Sequence, residues 1–376
     1  MLALSAWSAV AAVKPAPFTT GTAAQPASEQ EQRVWSQAEE LDRLFKKSGM
    51  VYRDPALTAY VQGVLDRLYP EFRGRVRITL LKAPELNAFA LPNGSIYLNI
   101  GLLARFQNEA QLATVLAHEG THYTHRHGMQ GQENLKQTTA IAAVTGMFGV
   151  YGIVPSLLAA SSMFGYSREM ESEADDAGYR RLLESGYDVR EAPAVFKHLM
   201  EDVKAEDIRE PYFFSTHPRL QDRFDNMTRL SAKAVGGGIG DSQRDYSRIV
   251  EGARIATLEL LLSMGKTKAA LITLESPERL AELPPYAPYY RGEAYRLRRE
   301  EGDAQRASSA YSEAIAAAPD FAPSYRALGI LQLKAGQHTE AEANFTRYLE
   351  LAPTAVDRGY VERYLRMIEA RKRQRQ

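Results

Sequence analysis

Apolar side chains recur at helical spacing in the first third of the chain. From Glu29 to Lys47 they fall at Val34, Ala38, Leu41, Leu44 and Phe45, one face of a helix. The next run opens on Asp54 and Pro55, an N-cap residue followed by the residue best suited to a first helical position, and should end near Pro70. Two short runs, VRITLLK from Val76 and GSIYLNI from Gly94, read as strands. A proline-free segment from Asn108 to Gly128 then places Leu112, Val115 and Leu116 on one helical face. The pattern predicts an α+β fold, mostly helical, with a small sheet.

Beyond residue 246 the pattern is helical and repeats. Gly302, Ala307, Tyr311 and Pro319 recur 34 residues later as Gly336, Ala341, Phe345 and Pro353. That is the period of a tetratricopeptide repeat, a helix pair whose small residues let the helices approach. Upstream of the turn the match slips by one residue, Tyr290 aligning with Tyr325, and a weaker third copy surrounds Gly265, Ala270 and Leu274. Gly236, Gly237, Gly238 and Gly240 mark a flexible linker ahead of these repeats. The expected organisation is a first domain over 28–230, a glycine-rich linker over 231–246 and an all-α repeat domain over 247–376. The repeats would offer a groove to a partner or client, or simply brace the first domain.

Two apolar stretches raise the question of a membrane. Leu2 to Val13 followed by small residues around Ala23 and Ala24 resembles a cleavable secretory leader, although the first basic residue is Lys14. Residues 1–27 are therefore expected to be a signal peptide, or else a disordered or anchoring tail. Between Lys136 and Arg168 no side chain is charged, but Gly146, Gly149, Gly152 and Pro155 break the middle of the run. Two short helices are expected, each too short to span a bilayer. Such a hairpin, 138–165, could be buried in the core, pack over a functional site or make a peripheral membrane contact.

Composition narrows the chemistry. The 376 residues carry 46 basic and 46 acidic side chains, so nothing in the charge calls for nucleic acid. There is no cysteine, which excludes disulfides and thiolate metal sites. Within the proline-free segment stands His118-Glu119-Gly120-Thr121-His122, an H-E-x-x-H set. On a helix the two histidines lie one turn apart and can grip one metal ion, with Glu119 about 100° round the helix, in reach of a water on that ion. Zinc held so lowers the pKa of its water towards ~7 and polarises a carbonyl, the chemistry of peptide hydrolysis. A third ligand is needed. The positions a metzincin would use hold His125 and Gly128, which excludes that class; His125 and His127 read as supporting or surface residues. Downstream, Glu171 and Asp175 share a helical face: Glu171 could ligate the metal and Asp175 could accept the free N–H of a liganding histidine. The alternative is an acidic solvated face.

Four stretches resemble peptidase family 48 of the metallopeptidases, the group of the CAAX prenyl proteases, the HtpX-type heat-shock proteases and soluble periplasmic relatives. They are NAFALPNGSIYLNIGLL from Asn87, the H-E-x-x-H, SREMESEAD from Ser167, and FFSTHPRLQDR from Phe213, in family order. The resemblance implies a zincin-type metalloprotease domain holding one Zn2+ per chain. It maps the third ligand onto Glu171 rather than Glu173, beside His118 and His122. Glu119 would be the general base and Asp175 would orient a ligand. His217, in the STHP stretch, would either occupy the metal's open position and inhibit or donate a hydrogen bond to the reacting carbonyl. Arg223 would pair with a carboxylate. The strand Ser95–Asn99 would be the edge that pairs with substrate backbone. The implied activity is a periplasmic zinc endopeptidase acting on misfolded or unassembled envelope proteins. Its repeats would recruit clients or outer-membrane assembly machinery. The alternative is a latent protease working mainly as a chaperone or binding module.

Overall fold

The computed structural model describes residues 15–130, 166–206, 220–234, 238–240 and 242–375. The expected hairpin over 138–165 and His217 lie outside the described residues. Helix α1 (Glu29–Lys47) is capped by the Ser28 side chain, which accepts from the Glu31 N–H, and it buries Val34, Ala38, Leu41 and Phe45. Helix α2 (Pro55–Leu68) starts as its sequence dictates, with Asp54 Oδ1 accepting from the Leu57 N–H at 2.9 Å.

Three strands follow: β1 (Arg77–Leu81), β2 (Ala88–Ala90) and β3 (Ser95–Asn99). They form one sheet in the order β1-β3-β2, with β1 parallel and β2 antiparallel to β3. This corrects the expectation for Ser95–Asn99. That strand is central, bonded on both sides and buried at all five residues. The edge strands are β1 and the three-residue β2, and β2 packs against helix α4 (Glu109–Thr124). A run of five buried residues is the mark of a strand covered on both faces, not of an edge open to a ligand.

Helices α3 (Ile100–Arg105), α5 (His127–Gln130), α6 (Arg168–Glu184), α7 (Ala192–Glu206) and α8 (Leu220–Ser231) complete the first unit. Helix α4 lies at its centre, buried from Ala110 to Thr124. Small residues make this burial feasible. A Cβ on Gly120 would come within 2.2 Å of the Tyr69 ring, and one on Gly178 of α6 within 3.2 Å of the Ala117 and His118 backbone. Glycine at these two positions lets an aromatic ring and a second helix lie directly against the motif-bearing turn.

Part of the N-terminal segment lies within the described residues. Residues 18–24 are packed: Phe18 and Ala24 are buried, the Phe18 N–H donates to Thr124 O at 2.8 Å, and Arg126 reaches Ala16 O and pairs with Glu31. A cleavage after Ala24 would strip this buried segment from the core.

The C-terminal half consists of α9 (Gln243–Ser263), α10 (Thr267–Leu274), α11 (Pro277–Leu280), α12 (Pro288–Arg298), α13 (Asp303–Ala317), α14 (Ala322–Lys334), α15 (His338–Leu351) and α16 (Arg358–Arg375). Helices α12 with α13, and α14 with α15, form successive packed pairs. Gly302 and Gly336 open the second helix of each pair from a positive φ of 77°. The Tyr311 ring fills the space over Gly292, and Phe345 that over Gly329, so the sequence repeat has a packing counterpart.

The glycine-rich stretch is not a free tether where it is described. Ile239 bridges to Tyr187, and a Cβ on Gly238 would lie 2.3 Å from the Asp188 nitrogen. Helix α9 then enters two of the three apolar cores. Tyr246, Val250 and Ala253 belong to the first apolar cluster; Leu258, Leu261 and Leu262 belong to the second. Tyr246 donates its hydroxyl to Leu103 O at 2.9 Å, and the buried Arg254 guanidinium donates to the carbonyls of Ala104 and Phe106. The division between the cores therefore falls within α9. A chain ended at Ser231 is expected to melt at least about 5 °C below one ended at Ser263, because it leaves the seat of Tyr246 and Val250 in water. Equal melting temperatures by circular dichroism would count against this division.

Candidate metal centre

Two capped helices bring the candidate residues together. Asn108 caps α4 through its side-chain oxygen, which accepts from the Gln111 N–H at 3.0 Å, and Ser167 caps α6 by accepting from the Met170 N–H. His118 and His122 project from α4, with Nε2 atoms 2.9 Å apart. Glu171 comes from the first turn of α6. Its Oε1 lies 3.3 Å from His122 Nε2 and its Oε2 lies 3.5 Å from His118 Nε2. All three side chains are buried. Tetrahedral ligands about 2.0–2.1 Å from a zinc ion stand ~3.3 Å from one another. Two imidazole nitrogens and one carboxylate oxygen at these separations fit a zinc-type donor set, with the two rings needing to part by a few tenths of an ångström. Glu173, two residues along the helix from Glu171, instead approaches His127 at 3.5 Å and His125 at 3.8 Å.

Each histidine is held from behind. His118 Nδ1 lies 2.9 Å from Asp175 Oδ1, so the ring that turns Nε2 to a metal donates its other N–H to this carboxylate. Asp175 in turn accepts from Arg223 Nη2 at 2.7 Å and Nε at 3.0 Å. Arg223 also stands 3.6 Å from Glu171 and over the Phe196 ring. Burial works against both charges, yet Asp175 is held below the usual carboxylate range by Arg223 and His118. Arg223 is raised because Asp175 and Glu171 outweigh its desolvation. The pair flanks His118 Nδ1, with Asp175 Oδ1 2.9 Å and Arg223 Nη2 3.0 Å away.

His122 Nδ1 meets His127 Nδ1 at 2.9 Å, and His127 Nε2 faces Glu173. A liganding His122 would donate Nδ1–H to His127, whose own Nε2–H then points at that carboxylate. His127 is fully buried, which a merely superficial histidine is not. His127→Ala is expected to weaken zinc affinity by about 10–100-fold while sparing the fold. Competition with a chromophoric chelator measures this, and an unchanged affinity would remove His127 from the support of the site.

Glu119 is wholly buried on α4, one residue from His118. Its charge and that of Glu171 add to burial in pushing the Tyr166 hydroxyl well above its ordinary value. Tyr166 is the residue that sequence reasoning missed. Its ring stacks on His122 at 3.6 Å between centroids and 11° between planes, and its hydroxyl donates to Ala90 O on β2 at 3.2 Å. The signal was its position immediately before Ser167, which makes it the residue that leads into the Glu171 helix.

Residues 51–231 match the family described as peptidase family M48. The match runs through the donor set and the packed shell just described. These residues form a peptidase family M48 domain. The domain aligns with the beta-barrel assembly-enhancing protease of Escherichia coli (strain K12), 28% identical over 198 residues, which is 48% of this chain and 40% of that protein. The Yersinia pestis protein of the same name is 28% identical over 225 residues, 54% of this chain and 45% of that one. Mitochondrial metalloendopeptidase OMA1 of Arabidopsis thaliana is 35% identical over 122 residues, 32% of this chain and 25% of its own length. The chain spans less than half the length of these curated relatives. An M48 domain implies a divalent metal, and the buried His118, His122 and Glu171 form the group of donors suited to one among the described residues. No helix among the described residues is long and apolar enough to cross a membrane.

Proposed function

We propose that the chain is a zinc-dependent endopeptidase of the bacterial envelope that hydrolyses peptide bonds in misfolded or unassembled proteins. The observation that supports it most directly is the convergence of His118, His122 and Glu171 within an M48 domain. Zinc bound there would acidify a water and polarise the scissile carbonyl. Glu119 takes the proton of the attacking water on its carboxylate and delivers it to the leaving amine. Asp175 accepts the His118 Nδ1–H on the side away from the cleft and is itself held by Arg223. The outer edge of β2, beside α4, accepts an extended substrate backbone, a contact that reads main chain and leaves sequence preference broad.

The names of the bacterial relatives favour clients on the way to assembled β-barrels. The helix pairs beyond α9, read as tetratricopeptide repeats, would bind such clients or the machinery that inserts them, in the periplasm. Digestion of an unfolded protein such as casein tests the activity. It should proceed with the zinc-loaded chain, stop with chelator and resume on zinc addition; no cleavage under any of these conditions would refute the peptidase reading. The second reading, a latent protease that acts mainly as a binding module, draws support from the Tyr166 ring lying on His122. It predicts suppression of client aggregation by a Glu119→Gln chain at the parental level.

A further inference from the structure

The β2–β3 register shows which main-chain groups remain for a substrate. The Asn99 N–H donates to Asn87 O and the Leu91 N–H donates to Ser95 O. Residues 87, 89 and 91 therefore bond to β3, and the main-chain groups of Ala88 and Ala90 point to the outer side of the edge strand. It is the Ala90 carbonyl that the Tyr166 hydroxyl takes. The same side chain lays its ring flat on His122. The cleft around that ring is lined mostly by apolar groups, Leu91, Pro92, Tyr123 and Met129 besides His122 and Ala90, with Arg126 at its side. One tyrosine thus does two things that a bound peptide would do: it satisfies an outward carbonyl of β2 and fills an apolar slot on the face of a candidate ligand.

We propose that Tyr166 is an internal occupant of the substrate cleft, and that the slot it vacates takes an aromatic side chain of the cleaved protein. The proposal rests on the peptidase reading and adds to it a gate and a preference. The local backbone suits a gate. Tyr166 stands just outside the N-cap Ser167, whose side chain holds the start of α6 through the Met170 N–H. The tyrosine can rotate away without unwinding the turn that carries Glu171. Its ring stack on His122, its edge contact with the His127 ring and its neutral hydrogen bond to Ala90 O are of the kind an incoming strand with an aromatic residue can replace.

The test uses the full zinc-loaded chain in a Glu119→Gln background, so that binding is read without cleavage. Two fluorescein-labelled nonapeptides are compared by anisotropy, one with a central phenylalanine and one with glycine in its place. Tyr166→Ala should tighten the phenylalanine peptide by about tenfold and the glycine peptide by no more than about threefold, since only the former refills the slot. Tyr166→Phe keeps the ring and loses only the bond to Ala90, so it should tighten both peptides by about twofold at most. Unchanged or weaker binding in Tyr166→Ala at parental zinc content would overturn the proposal. So would loss of zinc in both variants, which would make Tyr166 a support of His122, and so would equal tightening of the two peptides. Cleavage by the chain with Glu119 intact is scored separately. Peptides bound in the expected order but never cut would refute the peptidase reading and leave the gate standing.

Discussion

Glu119→Gln is expected to keep the metal and the fold and to lose hydrolysis by about 10²–10⁴-fold. The amide matches the carboxylate in size but cannot take a proton from water at neutral pH. Glu119 is fully buried on a helix that is itself buried from Ala110 to Thr124, so a nearly isosteric change disturbs little packing. The loss should fall on kcat, with peptide affinity close to parental, because the contact is made as the water attacks rather than when the substrate binds. Turnover within about threefold of the parent would assign the proton transfer elsewhere.

Glu171→Ala should have the opposite profile, with the metal itself lost. Removing one of three protein donors leaves two histidines and an open coordination sphere. Zinc affinity should drop beyond the about 10–100-fold that loss of an outer-sphere partner costs. The zinc-dependent rise in melting temperature should vanish with it. Asp175 and Arg223 keep each other, so the apo fold should persist. Glu173→Ala is the control: that carboxylate lies against His125 and His127, and the variant should retain its zinc. Stoichiometric zinc in purified Glu171→Ala would sink the ligand assignment.

What could be read from the chain depended on how local the cause was. The α1 and α2 faces, the Asp54 cap and the helical period around His118 are set within a few residues, and their spacing showed them directly. Glu171 and Asp175 were visible as neighbours one turn apart because a helix fixes that relation whatever surrounds it. The strand order was not visible. Ser95–Asn99 and Ala88–Ala90 are both short and apolar, and which of them is the edge depends on β1 pairing alongside β3 from some 18 residues upstream in register. The glycine-rich stretch misled for a related reason. Glycine signals freedom in an isolated chain, but Gly238 is also where backbone must approach Asp188 too closely for any side chain, and Gly240 turns at a positive φ against Ala110. Tyr166 escaped notice because an aromatic next to a cap looks like ordinary packing until the distant Ala90 and His122 are brought to it.

Helix α9 is rooted in the M48 core at Tyr246 and Val250 and in the repeat core at Leu258 and Leu261. Hinge motion within α9 would have to break a continuous helix or pull the buried Tyr246 ring out of the first core, so the helices packed on its C-terminal half hold a fixed bearing on the cleft. If a client is gripped by the repeats, its nearer end reaches the metal at a set distance along the chain, as on a ruler. Cleavage products would then share a characteristic length measured from the gripped segment, whatever residues flank the cut, and inserting helical turns into α9 would change that length.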